Sequence, residues 1–129
     1  MPIDYVIDHE HRVVRARGWG VLTDEDVFGY QSAVWTRPEV RGYDELVDVT
    51  DVQHISLPSI GRIRDLANLS VQRDDPERVA KFAIVAPGDI SYMIARLYKA
   101  IRGATAGNTR KIAVFHTLPE ALRFLGLES

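Results

Sequence analysis

Two stretches of this chain, Val79 to Ala86 and Lys111 to Phe115, are apolar almost without interruption. A strand with one wet face alternates polar and apolar residues, so runs like these suit strands covered on both faces. The segment between them carries a different period. Ile90, Met93, Ile94, Leu97, Tyr98 and Ile101 recur at spacings of 3, 1, 3, 1 and 3, as on one face of a helix, and Gly103 supplies a C-terminal stop. Strand, helix and strand in this order require a crossover connection, and crossovers are right-handed. The two strands are therefore predicted to be parallel, with the helix packed on the sheet.

The rest of the chain extends the pattern. Tyr5 to Ile7 and Val13 to Arg17 are β-rich, and the polar stretch Asp8 to Arg12 between them has hairpin length, so the chain is expected to open with an antiparallel pair. Gly18-Trp19-Gly20 interrupts the second strand. Thr23 then offers an N-cap hydroxyl, followed by acids in the first turn, where the helix dipole favours negative charge. Val27, Phe28, Gln31, Val34 and Trp35 form an apolar stripe with one polar member, and Arg37-Pro38 ends that helix, since proline disfavours α geometry at the residue before it. Glu45 to Val49 reads as a short strand. Ser56-Leu57-Pro58-Ser59 opens a helix carrying Ile60, Ile63, Leu66 and Ala67, and Thr117 to Glu120 opens the last helix as a capping box. The order is ββαβαβαβα, an α/β fold with a mixed sheet and helices packed on it. The two loosest segments are Gln72 to Glu77 and Gly103 to Arg110, both of connection length.

Composition bounds what such a fold can do. With 129 residues the chain has the size of a single domain, and roughly two thirds of its unfolded surface can be buried without staples. There is no cysteine, which excludes a disulfide framework, a thiolate zinc site and a Cys nucleophile. Sixteen Lys and Arg against eighteen Asp and Glu leave a formal charge of −2, with a sequence pI near 6.1, so nothing is built to neutralise a nucleic-acid backbone. Met1-Pro2-Ile3-Asp4 has no basic region followed by an apolar run, and no stretch reaches the roughly 18 apolar residues of a membrane span. A soluble, cytoplasmic protein is the expectation.

In open α/β sheets ligands bind at the carboxyl ends of the strands, so the residues that follow strands carry the functional expectation. They are a polar set: Asp48 within the third strand and His54 and Ser56 after it, Ser59 at the next helix, Asp89 after Ala86, and His116 and Thr117 after Phe115. Neighbouring strands would gather them on one edge, beside helix N-termini whose free N–H groups suit an anion. Capping alone also accounts for Ser56, Asp89 and Thr117. Asp48 is either a solvated acid or a half-buried carboxylate that desolvation would raise in pKa. A serine hydrolase is not indicated, because Leu57-Pro58-Ser59-Ile60-Gly61 lacks the first glycine of a nucleophile elbow. His9 and His11, with Asp8 and Glu10, have a metal-like spacing that a polar turn equally produces. Gly103 to Lys111 leaves a helix and enters a strand, the reverse of a phosphate loop, and reads as a flexible connection. Tyr92, Arg96, Lys99 and Arg102 lie off the apolar stripe and are expected to be solvated. No catalytic residue, metal or cofactor is assigned.

Two stretches, Lys81 to Tyr98 and Ala113 to Leu125, resemble the SpoIIAA-like proteins of the STAS superfamily, the domain shared by sulfate transporters and anti-sigma factor antagonists. The derived element order agrees with that fold over most of the chain. The antagonists are switched by phosphorylation of a serine in an Asp-Ser-Ser-Gly-type turn between a strand and a helix. Laid on this chain, the turn becomes Ser56, Leu57, Pro58 and Ser59, with Pro58 in the phosphoacceptor place. Proline has no hydroxyl, so that switch does not transfer; Ser56 and Ser59 remain as candidate modification sites. The resemblance implies a non-catalytic regulatory or protein-interaction module. Kinship of the superfamily with lipid-binding CRAL-TRIO domains implies the alternative, a carrier of a small apolar or anionic ligand. Homodimerisation is compatible with either. An enclosed apolar pocket of several hundred cubic ångströms, on the scale of known ligand sites, would favour the carrier, and a fully packed core would remove it.

Overall fold

The computed structural model describes residues 2–56 and 59–127, which form a five-stranded sheet with helices on both faces. β1 (Ile3–Asp8) and β2 (Val13–Leu22) make a hairpin, followed by α1 (Asp24–Val34) and one 3-10 turn at Pro38–Val40. β3 (Asp44–Ile55), α2 (Ile60–Val71), β4 (Lys81–Val85), α3 (Asp89–Gly103), β5 (Lys111–Phe115) and α4 (Leu118–Leu125) follow. The spatial strand order is the sequence order, with β1 antiparallel to β2 and the remaining pairs parallel. The order predicted from the apolar periods is the order observed.

The layering follows from handedness. The three crossovers β2 to β3, β3 to β4 and β4 to β5 all step in the same direction, and right-handed connections that do so place their helices on the same face. Accordingly α1, α2 and α3 supply Tyr30, Val34, Ile63, Ala67, Ala95 and Tyr98 to a core shared with Val14, Val49, Phe82, Ile84 and Ile112 of the sheet. α4 follows the last strand and has no crossover to make. It covers the opposite face, where Ala121 and Leu125 meet Leu46, Ala83 and Val85. Each large aliphatic or aromatic side chain buried this way contributes about 1.5–3 kcal/mol relative to exposure.

Two strands run longer than their sequence suggests. β2 continues through Gly18-Trp19-Gly20, absorbing register shifts between Arg17 and Trp19 and between Gly20 and Val21. Gly20 has a φ of 64°, a left-handed conformation that glycine adopts without a Cβ clash and that suits such a bulge. β3 has twelve residues, not the five of the sequence reading. Only its first half pairs with β4, the last partners being Asp48 and Val85; beyond that point it pairs with β2 alone, as far as Ile55 opposite Leu22. The polar residues Thr50, Asp51 and His54 thus belong to a strand, and β2 and β3 overhang the carboxyl ends of β4 and β5.

Candidate functional site

The overhang and the three helices line a half-open cavity of about 150 Å³ between α1, α2, α3 and the sheet. Its walls are mostly aliphatic: Leu22, Val47, Val49, Ile55 and Ile84 from the strands, Val27 and Phe28 from α1, Ile63 and Leu66 from α2, Ile94 and Ala95 from α3. Thr23, Asp24, Ser56, Arg62 and Ser91 form the polar part of the wall near the helix N-termini. Local chemistry fixes these elements. Thr23 and Asp26 make a capping box at the start of α1, the Thr23 hydroxyl accepting from Asp26 N–H at 3.2 Å and the Asp26 carboxylate from Thr23 N–H at 2.9 Å. Ser59 caps α2, accepting from Arg62 N–H at 3.1 Å. Arg62 Nε donates to Asp24 at 2.8 Å, tying the first turn of α2 to that of α1. That hydrogen bond holds the Asp24 carboxyl below its ordinary pKa of 3.8.

At the other end of the same layer, at the amino ends of the parallel strands, charges replace aliphatic groups. Arg102 of α3 donates two bonds to Asp74, at 2.7 and 2.9 Å, and its Nε reaches Ser70 at 3.0 Å and the Tyr98 hydroxyl at 3.2 Å. Arg110 donates to Glu45 at 2.9 Å, lies 3.2 Å from Asp74 and stacks 4.2 Å over the Trp35 ring. Tyr30 donates to Glu45 at 2.8 Å and accepts from Trp35 Nε1 at 3.1 Å. Arg102, Asp74, Arg110 and Glu45 all have side chains at most 4% exposed. Burial raises the Glu45 pKa despite the opposing charge of Arg110, and it keeps the Tyr30 and Tyr98 hydroxyls protonated by pushing them up from their ordinary value.

The residues expected on one rim are divided by strand geometry. Asp48 lies level with Val85, but side chains alternate along a strand. Val47 and Val49 face the cavity, so Asp48 faces the side of α4. It is half-buried, and its carboxylate accepts from the Thr50 hydroxyl and, at 2.9 Å, from Thr50 N–H. His54 is an in-strand residue of β3 opposite Val21, six positions past Asp48 or about 20 Å of strand, and it is exposed. Ser56 is at the cavity wall and continues the ladder, its N–H donating to Leu22 C=O at 3.0 Å, so it is not the cap of α2. Asp89 is the first residue of α3, after Gly88 at the N-cap, and supplies first-turn charge rather than a cap bond. Thr117 is the N-cap of α4, yet its hydroxyl donates to Glu120 at 2.7 Å and no side chain bonds the backbone there, unlike the expected reciprocal box. His116 stacks on Tyr92 with ring centroids 4.1 Å apart. Ser56 therefore lies at the cavity and Ser59 caps α2, while Asp48 and Thr117 serve the other face. Leu57 and Pro58, the latter in the phosphoacceptor place, lie outside the described residues.

Other expectations change with the packing. His9 and His11 do not share a site: His9 Nδ1 hydrogen-bonds the Tyr43 hydroxyl at 2.8 Å, and His11 bonds Asp8 through both N–H and Nδ1. The segments read as loose are stitched together, Thr109 N–H donating to Asp74 at 3.0 Å and the Thr109 hydroxyl to Asp75 C=O at 3.0 Å. Arg102, expected in solvent, is 2% exposed, and Tyr92 is half-buried. Conversely Ile90, Met93 and Leu97 are exposed, because the helix turns Ala95, Tyr98 and Arg102 inward. The cavity-wall residues Gln31, Tyr30 and Tyr98 were not assigned to a site from sequence. Gln31 did leave a signal, as the one polar member of the α1 stripe.

No known family model matches the sequence, and no curated protein matches it. Among solved structures the chain is similar to an uncharacterized protein of the DUF3478 family with a SpoIIAA-like fold from Shewanella loihica PV-4. The two are 19% identical, with a TM-score of 0.56 over 95% of this chain and 93% of that one. The likeness is one of fold, and this chain has a SpoIIAA-like fold. Among the described residues no helix is long and apolar enough to cross a membrane.

Proposed function

We propose that this SpoIIAA-like fold serves as a non-catalytic binding module that holds a small apolar ligand between its sheet and α1–α3. The observation that carries the reading is the cavity of about 150 Å³ walled by aliphatic side chains. Protein interiors are close-packed, and a void of this size forfeits dispersion contacts all along its wall, a loss that a ligand restores. The volume is below the roughly 300–1,000 Å³ of sites for drug-sized molecules and matches a single small ring. A binding role also agrees with the state of the titratable groups. The buried carboxylates Glu45 and Asp74 are already paired with arginines, and His116 is stacked on Tyr92. The test is a native mass spectrum of the purified protein together with thermal melts in a series of small aromatic and aliphatic compounds. A retained small molecule, or a melting temperature that rises with compound concentration as mass action requires, is the expected result. A bare mass and unmoved melts throughout the series would remove the reading.

A second reading, the regulatory protein-interaction module, is favoured by the uncovered stripe Ile90, Met93 and Leu97 on α3, which are 58%, 61% and 38% exposed. A second copy of this chain is the occupant that the purified protein itself can test. Sedimentation should then give a dimer for the wild type and a monomer for Met93→Lys; monomers in both would remove the homodimer form of this reading.

A further inference from the structure

We propose that Gln31 is the polar anchor of the cavity, and that the ligand is a small neutral molecule with an apolar body and one hydroxyl or carbonyl group. The inference rests on the ligand-binding reading and adds the chemical class of the ligand. Gln31 lies on the buried face of α1, is 6% exposed and lines the cavity. Its amide has two donor hydrogens and an acceptor oxygen, and its side chain makes no hydrogen bond among the described residues. The other buried polar groups of the wall are engaged. Tyr30 lies between Glu45 and Trp35, Tyr98 between Ser70 and Arg102, and Glu45 accepts from Arg110. With no protein partner, the amide is left to hydrogen-bond whatever occupies the cavity.

Three candidates could satisfy it, and the wall discriminates among them. Water in a buried site needs two to four polar partners, whereas the wall is mostly aliphatic and its polar groups Thr23, Asp24, Ser56, Arg62 and Ser91 stand together near the helix N-termini. A hydrocarbon fills the space and leaves the amide unpaired. A molecule with one polar group does both jobs. The wall also sets charge: Glu45 lies in it, and Arg62 is already committed to Asp24 at 2.8 Å, so a bound anion would meet a carboxylate without a free cation. The ligand is therefore neutral, and about 150 Å³ limits it to roughly six to eight non-hydrogen atoms.

Phenol and benzene are suitable probes because they differ by one hydroxyl. Their dissociation constants are to be measured for the wild type, Gln31→Leu and Gln31→Met, with the wild-type Gln31 side-chain NH2 resonances followed by 15N NMR. The expected result is that the phenol-to-benzene affinity ratio falls by about tenfold or more in both variants while benzene binding is kept, and that phenol but not benzene shifts the Gln31 NH2 resonances. Should the variants fail to fold, the NMR arm decides alone. Equal ratios in the three proteins, or resonances that ignore phenol, overturn the anchor while benzene binding still upholds the cavity reading. Binding of neither probe overturns both.

Discussion

The layer between the sheet and helices α1–α3 is filled in opposite ways at its two ends. At the amino ends of the parallel strands it holds Arg102, Arg110, Asp74 and Glu45, sealed to 4% exposure or less and joined through Tyr30, Tyr98, Ser70 and Trp35. At the carboxyl ends it holds aliphatic side chains around about 150 Å³ of unfilled space. The difference shows which imperfection each chemistry tolerates. Buried charges must be paired and fully hydrogen-bonded, because one unmatched ion in a low-dielectric interior outweighs many good contacts. An apolar wall tolerates a gap at a cost that grows only with the missing contacts, so the open end can be kept for a ligand while the closed end stays shut.

The largest expected effect breaks the closed end. Asp74→Ala leaves Arg102 buried without a carboxylate and Arg110 with Glu45 alone, and should cost about 3–5 kcal/mol of stability in urea melts. If the loss is under about 1 kcal/mol, the network is not holding that end together. A smaller effect sharpens the contrast by adding the same methylene to each end. Val49 lines the cavity, so Val49→Ile should be neutral or stabilising by about 0.5–1 kcal/mol. Val34 is fully buried on α1 next to Trp35, and Val34→Ile should cost about 1–3 kcal/mol through overpacking. Melts in which the two substitutions behave alike would mean that the two ends are packed to the same density.

The smallest expected effect is in the pH profile, where the two ends have opposite sign. Asp24 at the open end is held below its ordinary 3.8 by its hydrogen bond with Arg62, so it stabilises above that pH and loses its contribution as pH falls through the lowered value. Glu45 at the closed end is raised from 4.5 by burial, so its contribution is present below 4.5 and is lost as pH rises through the raised value. Asp24→Asn should therefore lower stability at neutral pH and flatten the acid limb, the variant and the wild type converging as pH falls through the lowered value. A steeper acid limb would contradict the assignment.

The two ends were not equally legible. The continuous runs at Lys81–Val85 and Lys111–Phe115 gave parallel strands, and from them the order ββαβαβαβα, because burial on both faces leaves no polar alternation. The second half of β3 carries no apolar strand pattern because, past β4, it has one open edge and Thr50, Asp51, Gln53 and His54 are exposed. At the closed end, Asp74 and Arg110 sat in segments read as loose, and Arg102 on a face read as solvated. Single charges carry no local mark of burial. Glu45 and Arg110 are 65 positions apart, and Asp74 and Arg102 28, so each reads as a surface residue until its partner is placed. At the open end Gln31 broke an apolar stripe, a visible irregularity whose meaning depended on whether another side chain would reach it.

Local periodicity and turn chemistry thus determined by themselves the order of strands and helices and, through the handedness of crossovers, that the later strands run parallel with helices packed on the sheet. Only the tertiary structure decided the spatial order of the strands, which charges were to be buried together, how far β2 and β3 overhang, and that a gap lined mainly by aliphatic groups, with Gln31 in its wall, lies beneath the helices. Secondary structure is dictated by neighbours within a few residues, whereas desolvation of a charge and the filling of a core depend on groups that the sequence keeps far apart and folding alone brings into contact.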